Sequence, residues 1–574
     1  MRLVTGRVSS NTDSNPPAVT AGVDGHLHAR WLGRVSYHEA LAVQHAMVAG
    51  VHNHLLLLEH PHVYTLGARA DLGHVLVDPA SVGAELVRTD RGGDVTYHGP
   101  GQLVGYPIVS LVGKGGMTDT VRYVRSVEQL VIDALVTLGV DDVGRLGDYP
   151  GVWIAPHSAQ PRKIAAIGVK LVRQRTMHGF ALNVNPDMAM FNHIVPCGIA
   201  DKAVTSLHEE GFAHITMRDV VDVVMGLAAH QWGPQLRRAD VAWSHSLNEL
   251  SQFSRQHETG AGEERVNIRL KARLTQAGVT EGLTIGQRKP EWLRPKVTFG
   301  PEFLALKKRM RTLDLVTVCE EAGCPNITEC WADGTATFMI NGERCTRACG
   351  FCLIDTHKPA PLDPDEPHRV AEAVAQMGLK FAVITTVARD DLDDDGAGAM
   401  AATIATIRAR CPGTQIETLI SDCRGRPDSL AMIFAARPDV LNHNLETVAR
   451  LQRAVRPSAG YARSLGVLAT AKAAGLTTKS GLIVGMGETD DEIVEALTDL
   501  AAVGVDIVTI GQYLRPTEAH LPVERWVTPE QFARYGEIGG ALGIGHLESS
   551  PMTRSSYHAR QAAASPATLI GTSR

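Results

Sequence analysis

The residues of this chain best suited to chemistry are its cysteines, and most of the nine fall into two tight clusters. The first cluster comprises Cys319, Cys324 and Cys330, and the second, which begins fifteen residues after the first ends, comprises Cys345, Cys349 and Cys352. Disulfide frameworks are typical of small secreted proteins, whereas this chain has 574 residues and no stretch resembling a signal peptide. The clustering therefore favours metal binding, and Cys411 and Cys423 fall outside every motif.

The second cluster has the pattern Cys-x-x-x-Cys-x-x-Cys, from Cys345 to Cys352. Three thiolates in one loop can hold three corners of a 4Fe-4S cluster and leave the fourth iron open for substrate. The alternative is zinc with His357 as the fourth ligand. Structural zinc sites usually contain paired Cys-x-x-Cys units. The spacing therefore favours iron and sulfur.

This loop, with Phe351 before its last cysteine, resembles the signature of radical S-adenosylmethionine enzymes, in which the open iron binds the cofactor. The segment 481–488 resembles a second motif of that superfamily, which implies that Gly485 and Glu488 lie near the cofactor. Read alone, its Gly-x-Gly could indicate a dinucleotide-binding loop. That reading fails because Asp490 replaces the third glycine of the fingerprint.

Taken together, the two triads resemble lipoyl synthase over about 286–560, with supporting motifs at 389–392, 442–446 and 554–559. The resemblance implies two 4Fe-4S clusters, with Ser556 as an extra ligand of the first triad's cluster and Ser555 as the alternative. It also implies S-adenosylmethionine, a 5′-deoxyadenosyl radical, and insertion of two sulfur atoms at C6 and C8 of a protein-bound octanoyl chain. An organic cofactor is required because no side chain can deprotonate such a C–H bond.

In the first half, Cys197 lies in Val-Pro-Cys-Gly and Lys163 begins an apolar run. Taken separately, such a cysteine is more often structural and such a lysine is usually solvated. As a pair they are suggestive, because a nearby ammonium lowers a thiol's pKa and increases its thiolate fraction.

The segments 91–102, 150–153, 178–184 and 195–198 resemble lipoyl/octanoyl transferase, a match that spans roughly 30–230. The resemblance implies that Cys197, assisted by Lys163, takes octanoyl from acyl carrier protein as a thioester. It then passes the chain to a lysine of a lipoyl domain or glycine-cleavage H protein. The residues implied to line the acyl pocket are Arg91, Gly92, Gly93, Asp94, Val95, Thr96, Tyr97, His98, Ala166, Ile167, Gly168, Gly179, Phe180 and Ala181.

Three alternatives stay open. The first half could be an ATP-dependent lipoate ligase of similar fold, although that enzyme needs no nucleophilic cysteine. It could also be a non-catalytic scaffold that docks carrier proteins, and the second half could be a zinc-stabilised binding module. His98 could act as a general base or only pack the turn beside it.

The surrounding pattern indicates two domains that position these groups. The first half is expected to be α+β, like biotin/lipoate protein ligases, and includes a helix over 120–138 with an apolar face. The face comprises Val121, Val124, Val127, Val131, Leu135 and Leu138. In the second half, apolar runs alternate with helical stretches and predict an α/β partial (β/α) barrel of the radical S-adenosylmethionine type. The runs are 381–387, 415–420, 440–445, 480–485, 506–511 and 544–547.

Composition sets the remaining expectations. A net charge of -6 argues against a nucleic-acid binder, and no apolar run has the length of a membrane span, so a cytoplasmic enzyme is expected. The second reaction would need a reductant such as ferredoxin or flavodoxin. The expected boundaries are a disordered tail over 1–25, an octanoyltransferase domain over 26–235, a linker over 236–285 and a lipoyl synthase domain over 286–574.

Overall fold

The computed structural model describes residues 24–111, 117–147, 149–196, 202–243, 289–293, 335–517 and 520–564. The chain divides into two compact units. The first contains residues up to Tyr37 and Val51–Arg238, and the second contains His38–Gly50 and the residues from Ala239 onward. Four predicted functional cysteines lie outside the described residues: Cys197, Cys319, Cys324 and Cys330.

The first unit is built on a nine-stranded mixed sheet in the order β12-β1-β2-β6-β10-β9-β8-β7, with β11 paired to β9. A smaller sheet has the order β4-β3-β5. The strands are β1 (His26–Arg34), β2 (Asn53–Glu59), β3 (Val63–Leu66), β4 (Glu85–Arg88), β5 (Val95–His98), β6 (Gln102–Ile108), β7 (Val143–Leu146), β8 (Tyr149–Ile154), β9 (Arg162–Val172), β10 (Arg175–Asn183), β11 (Ala203–Val204) and β12 (Gln235–Asp240). The expected α+β class is confirmed.

Three α-helices belong to the first half of the chain within the described residues: α1 (Tyr37–Val48), α2 (Met117–Thr137) and α3 (Met217–Trp232). The expected helix over 120–138 corresponds to α2, and Gly139 follows it with a left-handed φ of 86°. Its predicted apolar face was wrong at Val121, which is 52% exposed. The buried stripe begins instead at Tyr123 and continues through Val127, because Tyr123 occupies the core-facing position of that turn.

The second unit contains a seven-stranded parallel sheet whose strands follow one another in chain order. They are β13 (Thr335–Ile340), β14 (Phe381–Thr386), β15 (Gln415–Leu419), β16 (Val440–Asn442), β17 (Thr478–Val484), β18 (Ile507–Gln512) and β19 (His546–Ser549). The described helices of this half are α4 (Glu366–Met377), α5 (Ala397–Arg410), α6 (Pro427–Ala435), α7 (Gln452–Val455), α8 (Tyr461–Ala473), α9 (Asp490–Ala502), α10 (Pro529–Ala541) and α11 (Ala559–Ala564). Each predicted run contains or overlaps a strand, and the expected α/β class with a partial-barrel sheet is confirmed.

The sheet of the second unit buries both faces. Side chains such as Ile384, Ile416 and Leu441 pack against the helices in one apolar cluster. On the other face, Val383 and Val440 pack against Ala559 and Ala562 of α11. A sheet covered on both faces explains why its strands read as nearly continuous apolar runs in the sequence. No described helix is both long and apolar enough to cross a bilayer.

A fully buried ion pair interrupts this apolar interior. Lys479 Nζ on β17 donates to both carboxylate oxygens of Glu417 on β15, at 3.1 and 3.0 Å, and neither side chain is exposed. Asn442 on β16, the strand between them, donates to Glu417 Oε1 at 2.8 Å. Each charge is therefore compensated inside the sheet, as burial requires.

We expect Lys479→Met to lower the free energy of unfolding of the second unit by about 3–5 kcal/mol, because it leaves Glu417 buried without its partner. The matched control is Arg410→Ala, which removes the half-exposed partner of Glu372 and should cost at most about 1 kcal/mol. Denaturant unfolding of both variants checks the difference. Equal losses of unfolding free energy in the two variants would mean that the buried ion pair contributes no more to stability than the exposed one.

Candidate active sites

The first unit contains a cavity that encloses about 470 Å³ of space, part of it open to solvent. Its walls come from the loop before β5 and from strands β5, β6, β9 and β10. The lining residues are Tyr37, Arg91, Gly92, Gly93, Asp94, Thr96, His98, Val104, Tyr106, Ala166, Ile167, Gly168, His178, Gly179, Phe180 and Ala181. The residues named from the sequence for an acyl pocket thus lie around one cavity, with two exceptions.

The exceptions are Val95 and Tyr97, whose side chains are fully buried in a separate apolar cluster that contains Tyr64 and Phe191. Both lie on β5, where successive side chains point to opposite faces. Thr96 and His98 therefore face the cavity while Val95 and Tyr97 face away from it. The sequence motif alone did not separate the two faces, because all four positions are buried.

Arg91 fixes the loop that forms one wall. Its Nη2 donates to the carbonyl oxygen and to Oγ1 of Thr65, at 2.6 and 2.9 Å, and its Nη1 donates to the carbonyl oxygen of Gly92 at 3.1 Å. The loop also approaches β9 closely, because a Cβ on Gly168 would lie 3.0 Å from the carbonyl oxygen of Gly92. Glycine at this position permits the contact.

His98 is held on both ring nitrogens. Nδ1 lies 2.7 Å from Gln102 Oε1, and the Gln102 amide nitrogen donates elsewhere, so Nδ1 carries the proton in this assignment. Nε2 faces Thr65 Oγ1 at 3.4 Å. Burial, with His60 and Arg91 nearby, lowers the pKa of His98 well below its usual value. These contacts favour the structural reading of His98 over the general-base reading.

Several cavity residues were not named from the sequence. Tyr106 donates to His60 Nε2 at 2.7 Å, and burial lowers the pKa of His60 to about 4, so that imidazole stays neutral. His178 Nε2 contacts Asp90 Oδ1 at 2.9 Å. Burial opposes ionisation of Asp90, but hydrogen bonds from Lys170 and His178 outweigh it and hold its pKa at about 2. His178 also has a positive φ of 56°, which is uncommon for a residue other than glycine. The sequence gives no indication of this backbone conformation.

Lys163 lies at the start of β9, three positions before Ala166 of the cavity wall. Its side chain is buried, with Nζ 4.9 Å from the centroid of the Trp153 ring. An ammonium over an aromatic face retains favourable electrostatics after losing water. The position of Cys197 relative to Lys163 lies outside the described residues.

Three of the five described cysteines of the second unit, Cys345, Cys349 and Cys352, lie in the loop after β13, and all five are free thiols. Cys345 Sγ accepts from the backbone N–H groups of Arg347 and Ala388, at 3.4 and 3.3 Å. His520 Nε2 lies 3.0 Å from the carbonyl oxygen of Cys352. Backbone donors aimed at a sulfur stabilise negative charge on it, which is the form that binds a metal.

Burial raises the pKa of Cys349 to about 12 and that of Cys352 to about 11, and the neighbouring thiols add to both shifts. A bound metal cation would favour the thiolate forms of Cys349 and Cys352, which burial disfavours. The donor set therefore fits an iron–sulfur cluster on Cys345, Cys349 and Cys352. His357 does not fit as a fourth ligand, because its side chain is 85% exposed and contacts Asp355.

Arg347, between the first two cysteines, anchors this loop to the sheet. It pairs with Asp390 after β14 and with Asp422 after β15, each at 2.7 Å. Arg389 pairs with Asp391 at 2.9 Å and donates to the carbonyl oxygen of Asn341. These charged groups follow strand ends at one edge of the sheet, where α/β proteins place their sites.

The motif at 485–488 follows β17. Gly485 has a φ of 102°, and a Cβ there would lie 2.2 Å from Gln512 Nε2, so only glycine fits without rearrangement. The carboxylate oxygens of Glu488 accept from the backbone N–H groups of Gly485 and Met486. In this conformation the Glu488 carboxylate stabilises the loop 485–488 by binding its backbone. A cofactor next to this segment would contact the loop that Glu488 holds in place.

Two asparagines hold the C-terminal motif. Asn442 is the last residue of β16, and Asn444 lies two residues after it. Asn442 and Asn444 donate to Ser555 Oγ at 2.9 and 3.3 Å. The hydroxyl of Ser556, in contrast, makes no hydrogen bond within the described part of the chain. The structure thus distinguishes the two serines: Ser555 is an anchor, and Ser556 retains its donor oxygen.

Comparison with known families is consistent with these two sites. Residues 36–227 match the lipoyl protein ligase A/B catalytic domain, residues 339–500 match the radical SAM superfamily, and residues 268–324 match the N-terminal domain of lipoyl synthase. The fold and the sites thus define a lipoate-type transferase or ligase domain followed by a radical S-adenosylmethionine domain.

Curated relatives identify the second domain more closely. The lipoyl synthases of Kineococcus radiotolerans and Rubrobacter xylanophilus are 52% and 55% identical over 52% and 48% of this chain, which is 88% and 86% of their own length. The chain belongs to the lipoyl synthase family through its second half. Membership implies a 4Fe-4S cluster and S-adenosylmethionine as cofactors.

Two solved structures are also similar. A bipartite lipoate protein ligase from Thermoplasma acidophilum is 18% identical, with a TM-score of 0.32 over 40% of this chain and 91% of that chain. Methylornithine synthase is 12% identical, with a TM-score of 0.30 over 54% of this chain and 83% of that chain.

We expect Arg91→Lys to destabilise the first unit by about 1–3 kcal/mol, because the ammonium cannot replace the forked contacts with Thr65. Arg88→Lys on the exposed position of β4 is the matched control and should change stability by less than about 0.5 kcal/mol. Thermal unfolding of both variants checks this. A loss as small as the control's would mean that the loop does not depend on the guanidinium.

Proposed function

We propose that this chain performs two consecutive reactions that build a lipoyl group on a carrier protein. The first half transfers octanoyl from octanoyl-acyl carrier protein to a carrier lysine through a Cys197 thioester. The second half inserts sulfur at C6 and C8 of that chain. The observation that carries the proposal is the joining of a lipoate-type cavity domain and a lipoyl synthase in one polypeptide.

In the first reaction, the Cys197 thiolate attacks the carbonyl carbon of the acyl carrier thioester, the carrier's C–S bond breaks, and the carrier's sulfur leaves as a thiolate. The amine of the acceptor lysine then attacks the new thioester, the C–S bond breaks, and Cys197 leaves as thiolate. The amine's proton must be removed in this step. Lys163, when unprotonated, can accept it, and when protonated it stabilises the Cys197 thiolate.

The cavity supports an acyl substrate in particular. Glycines at 92, 93, 168 and 179 bring backbone to its wall, and Ala166, Ile167, Phe180 and Ala181 provide apolar surface. A straight alkyl chain has no groups to hydrogen-bond, so such a wall suits it. The polar side chains of the wall, Arg91, His98 and Tyr106, each form a hydrogen bond within the protein. At least part of their hydrogen-bonding capacity is therefore not directed at the alkyl chain.

Acceptors of both reactions are proposed to be lipoyl domains of 2-oxoacid dehydrogenases and the glycine-cleavage H protein. The match of the first half to the lipoyl protein ligase A/B catalytic domain supports a lipoyl carrier protein as the acceptor. A reductant of the ferredoxin or flavodoxin type completes the set of proposed partners.

In the second unit, Cys345, Cys349 and Cys352 would hold one 4Fe-4S cluster, and Cys319, Cys324, Cys330 and Ser556 a second. Together with S-adenosylmethionine, these groups supply the radical chemistry and the sulfur. The chain's own contribution is positioning. Arg347 ties the cysteine loop to the sheet, and Asn442 and Asn444 fix Ser555, so Ser556 extends from an anchored neighbour.

Replacing Cys197 by Ser is expected to abolish octanoyl transfer while the second reaction continues on a carrier octanoylated in advance. The hydroxyl is a much weaker nucleophile at neutral pH than a thiol. Mass spectrometry of the chain after exposure to octanoyl-acyl carrier protein, without ATP, should show an octanoyl adduct on the parent only. Transfer by Cys197→Ser at the parent rate would overturn the assignment.

Cys411→Ala is the matched control for that experiment, because Cys411 lies at the end of α5 and outside every motif. Cys423 is less suitable, since it is 2% exposed within the apolar cluster and its truncation would create a cavity. ATP-dependent transfer from free octanoate, unaffected by Cys197→Ser, would favour the ligase alternative.

Changing Cys345, Cys349 and Cys352 together to Ala should leave about half of the iron and sulfide, since one of two clusters loses three of its ligands. Cleavage of S-adenosylmethionine should be lost, while octanoyl transfer by the first unit should persist. Anaerobic iron and sulfide analysis measures the first effect. Iron content equal to that of the parent would contradict the two-cluster arrangement.

A further inference from the structure

Four histidines and one aspartate gather at the start of the first two strands of the first unit. The segment 24–28 has the pattern Asp-Gly-His-Leu-His, and 52–54 has His-Asn-His. Strands β1 and β2 are parallel, and His28 pairs with His54 in their register. Because side chains two apart share a face, the histidines of both strands come together.

The polar atoms of this cluster converge on Asp24. Its Oδ2 lies 2.8 Å from His28 Nε2 and 3.0 Å from His52 Nδ1. The three candidate donor atoms lie within 4.8 Å of one another. A tetrahedral zinc ion with bonds of about 2.0–2.1 Å separates its donors by about 3.3 Å, so small rotations of these side chains would open the site.

A second observation points to a ligand. His54 is fully buried, and neither of its ring nitrogens has a hydrogen-bond partner within the described part of the chain. Its ring centroid lies 5.4 Å from that of His28 and 6.4 Å from that of His52. Buried polar groups in native proteins are nearly always paired, so an unpaired imidazole beside two others requires an explanation.

The charges around the cluster are consistent with this reading. The positive charges of Arg30 and Arg175 would repel a metal cation, but both guanidinium groups donate hydrogen bonds to carbonyl oxygens. Arg30 donates to the carbonyl oxygens of Ala29 and Arg237, and Arg175 donates to the carbonyl oxygen of His52.

The carboxylate of Asp24 supplies the compensating charge. Its Oδ1 accepts a hydrogen bond from the His26 backbone N–H at 3.1 Å, and its Oδ2 lies 2.8 Å from His28 Nε2. Two imidazoles and a carboxylate suit zinc and similar transition metals, whereas calcium and magnesium prefer oxygen ligands alone.

We propose that Asp24, His28 and His52 bind a divalent transition metal ion of the zinc class, beside the buried ring of His54. The ion would join the segment before β1 to the start of β2. The cavity wall at Tyr106 and Val104 pairs with Leu56 in the middle of β2 and with Leu58 near its far end. The site is therefore separate from the proposed acyl pocket, and the role is structural.

The test uses the full chain with its iron–sulfur sites loaded anaerobically, so that cysteines are occupied. One equivalent of Zn²⁺ is added, weakly held metal is removed by dialysis against a mild chelator, and zinc per chain is measured. We expect the parent to retain one zinc ion. Asp24→Asn and His52→Ala should each weaken retention by more than about 100-fold, beyond the 10–100-fold that loss of an outer partner costs.

His230→Ala is the matched control, because His230 is exposed in the last turn of α3, and it should retain zinc like the parent. Asp24→Asn preserves the shape of the side chain, so failure to fold is not the expected cause of any loss. Co²⁺ provides a second readout: the site should give weak visible bands of nitrogen and oxygen ligation, without sulfur-to-cobalt charge transfer. Equal zinc retention by the parent and Asp24→Asn, or a cobalt spectrum of sulfur ligation alone, would overturn the proposal.

Discussion

The buried Glu417–Lys479 pair determines the arrangement of polar groups in the second unit. Its two charges have no contact with water, so their hydrogen-bonding capacity must be satisfied by the protein. Asn442 lies on the strand between them and shares its amide between Glu417 and Ser555. The ion pair thus fixes Asn442, Asn442 helps to fix Ser555, and the C-terminal motif is held against the inside of the sheet. A replacement by apolar side chains could preserve the fold but would not orient that amide.

Buried arginines play the corresponding role at the edges of both sites. Arg91 holds the loop that forms one wall of the cavity, and Arg347 holds the cysteine loop against residues that follow β14 and β15. A guanidinium presents several donors in a fixed plane, so one side chain can fix the direction of a loop as well as its position. Each of these irregular loops is thereby fixed to the strands beside it.

The sequence predicted the strands of the second unit well, because a sheet covered on both faces leaves long apolar runs. It predicted the cavity lining less completely. Val95 and Tyr97 belong to the same motif as Thr96 and His98, but strand alternation turns them into the opposite core. Tyr106 and Val104 were missed because an apolar strand gives no sign of which side chains reach a cavity.

Two further features follow from hydrogen bonds that the sequence motifs do not specify. The motif placed Glu488 near a cofactor, while its carboxylate binds the loop's own backbone. Similarly, the distinction between Ser555 and Ser556 follows from asparagines more than a hundred residues earlier.

Both proposed reactions depend on sulfur atoms that must lose their proton, either to act as a nucleophile or to bind a metal. A buried thiol holds its proton more tightly, as the raised pKa values of Cys349 and Cys352 illustrate, and a protonated thiol is neither a good nucleophile nor a good ligand. A cation must therefore accompany each reactive sulfur. In the second unit, the cation proposed for the three thiolates of the cysteine loop is the metal of a cluster. In the proposed first reaction there is one thiolate, and the cation proposed to balance it is the ammonium of Lys163, whose Nζ lies 4.9 Å from the centroid of the Trp153 ring. Cys423 provides the contrast: it is buried in the apolar cluster, its pKa is raised to about 12 by that burial, and it remains a packing residue.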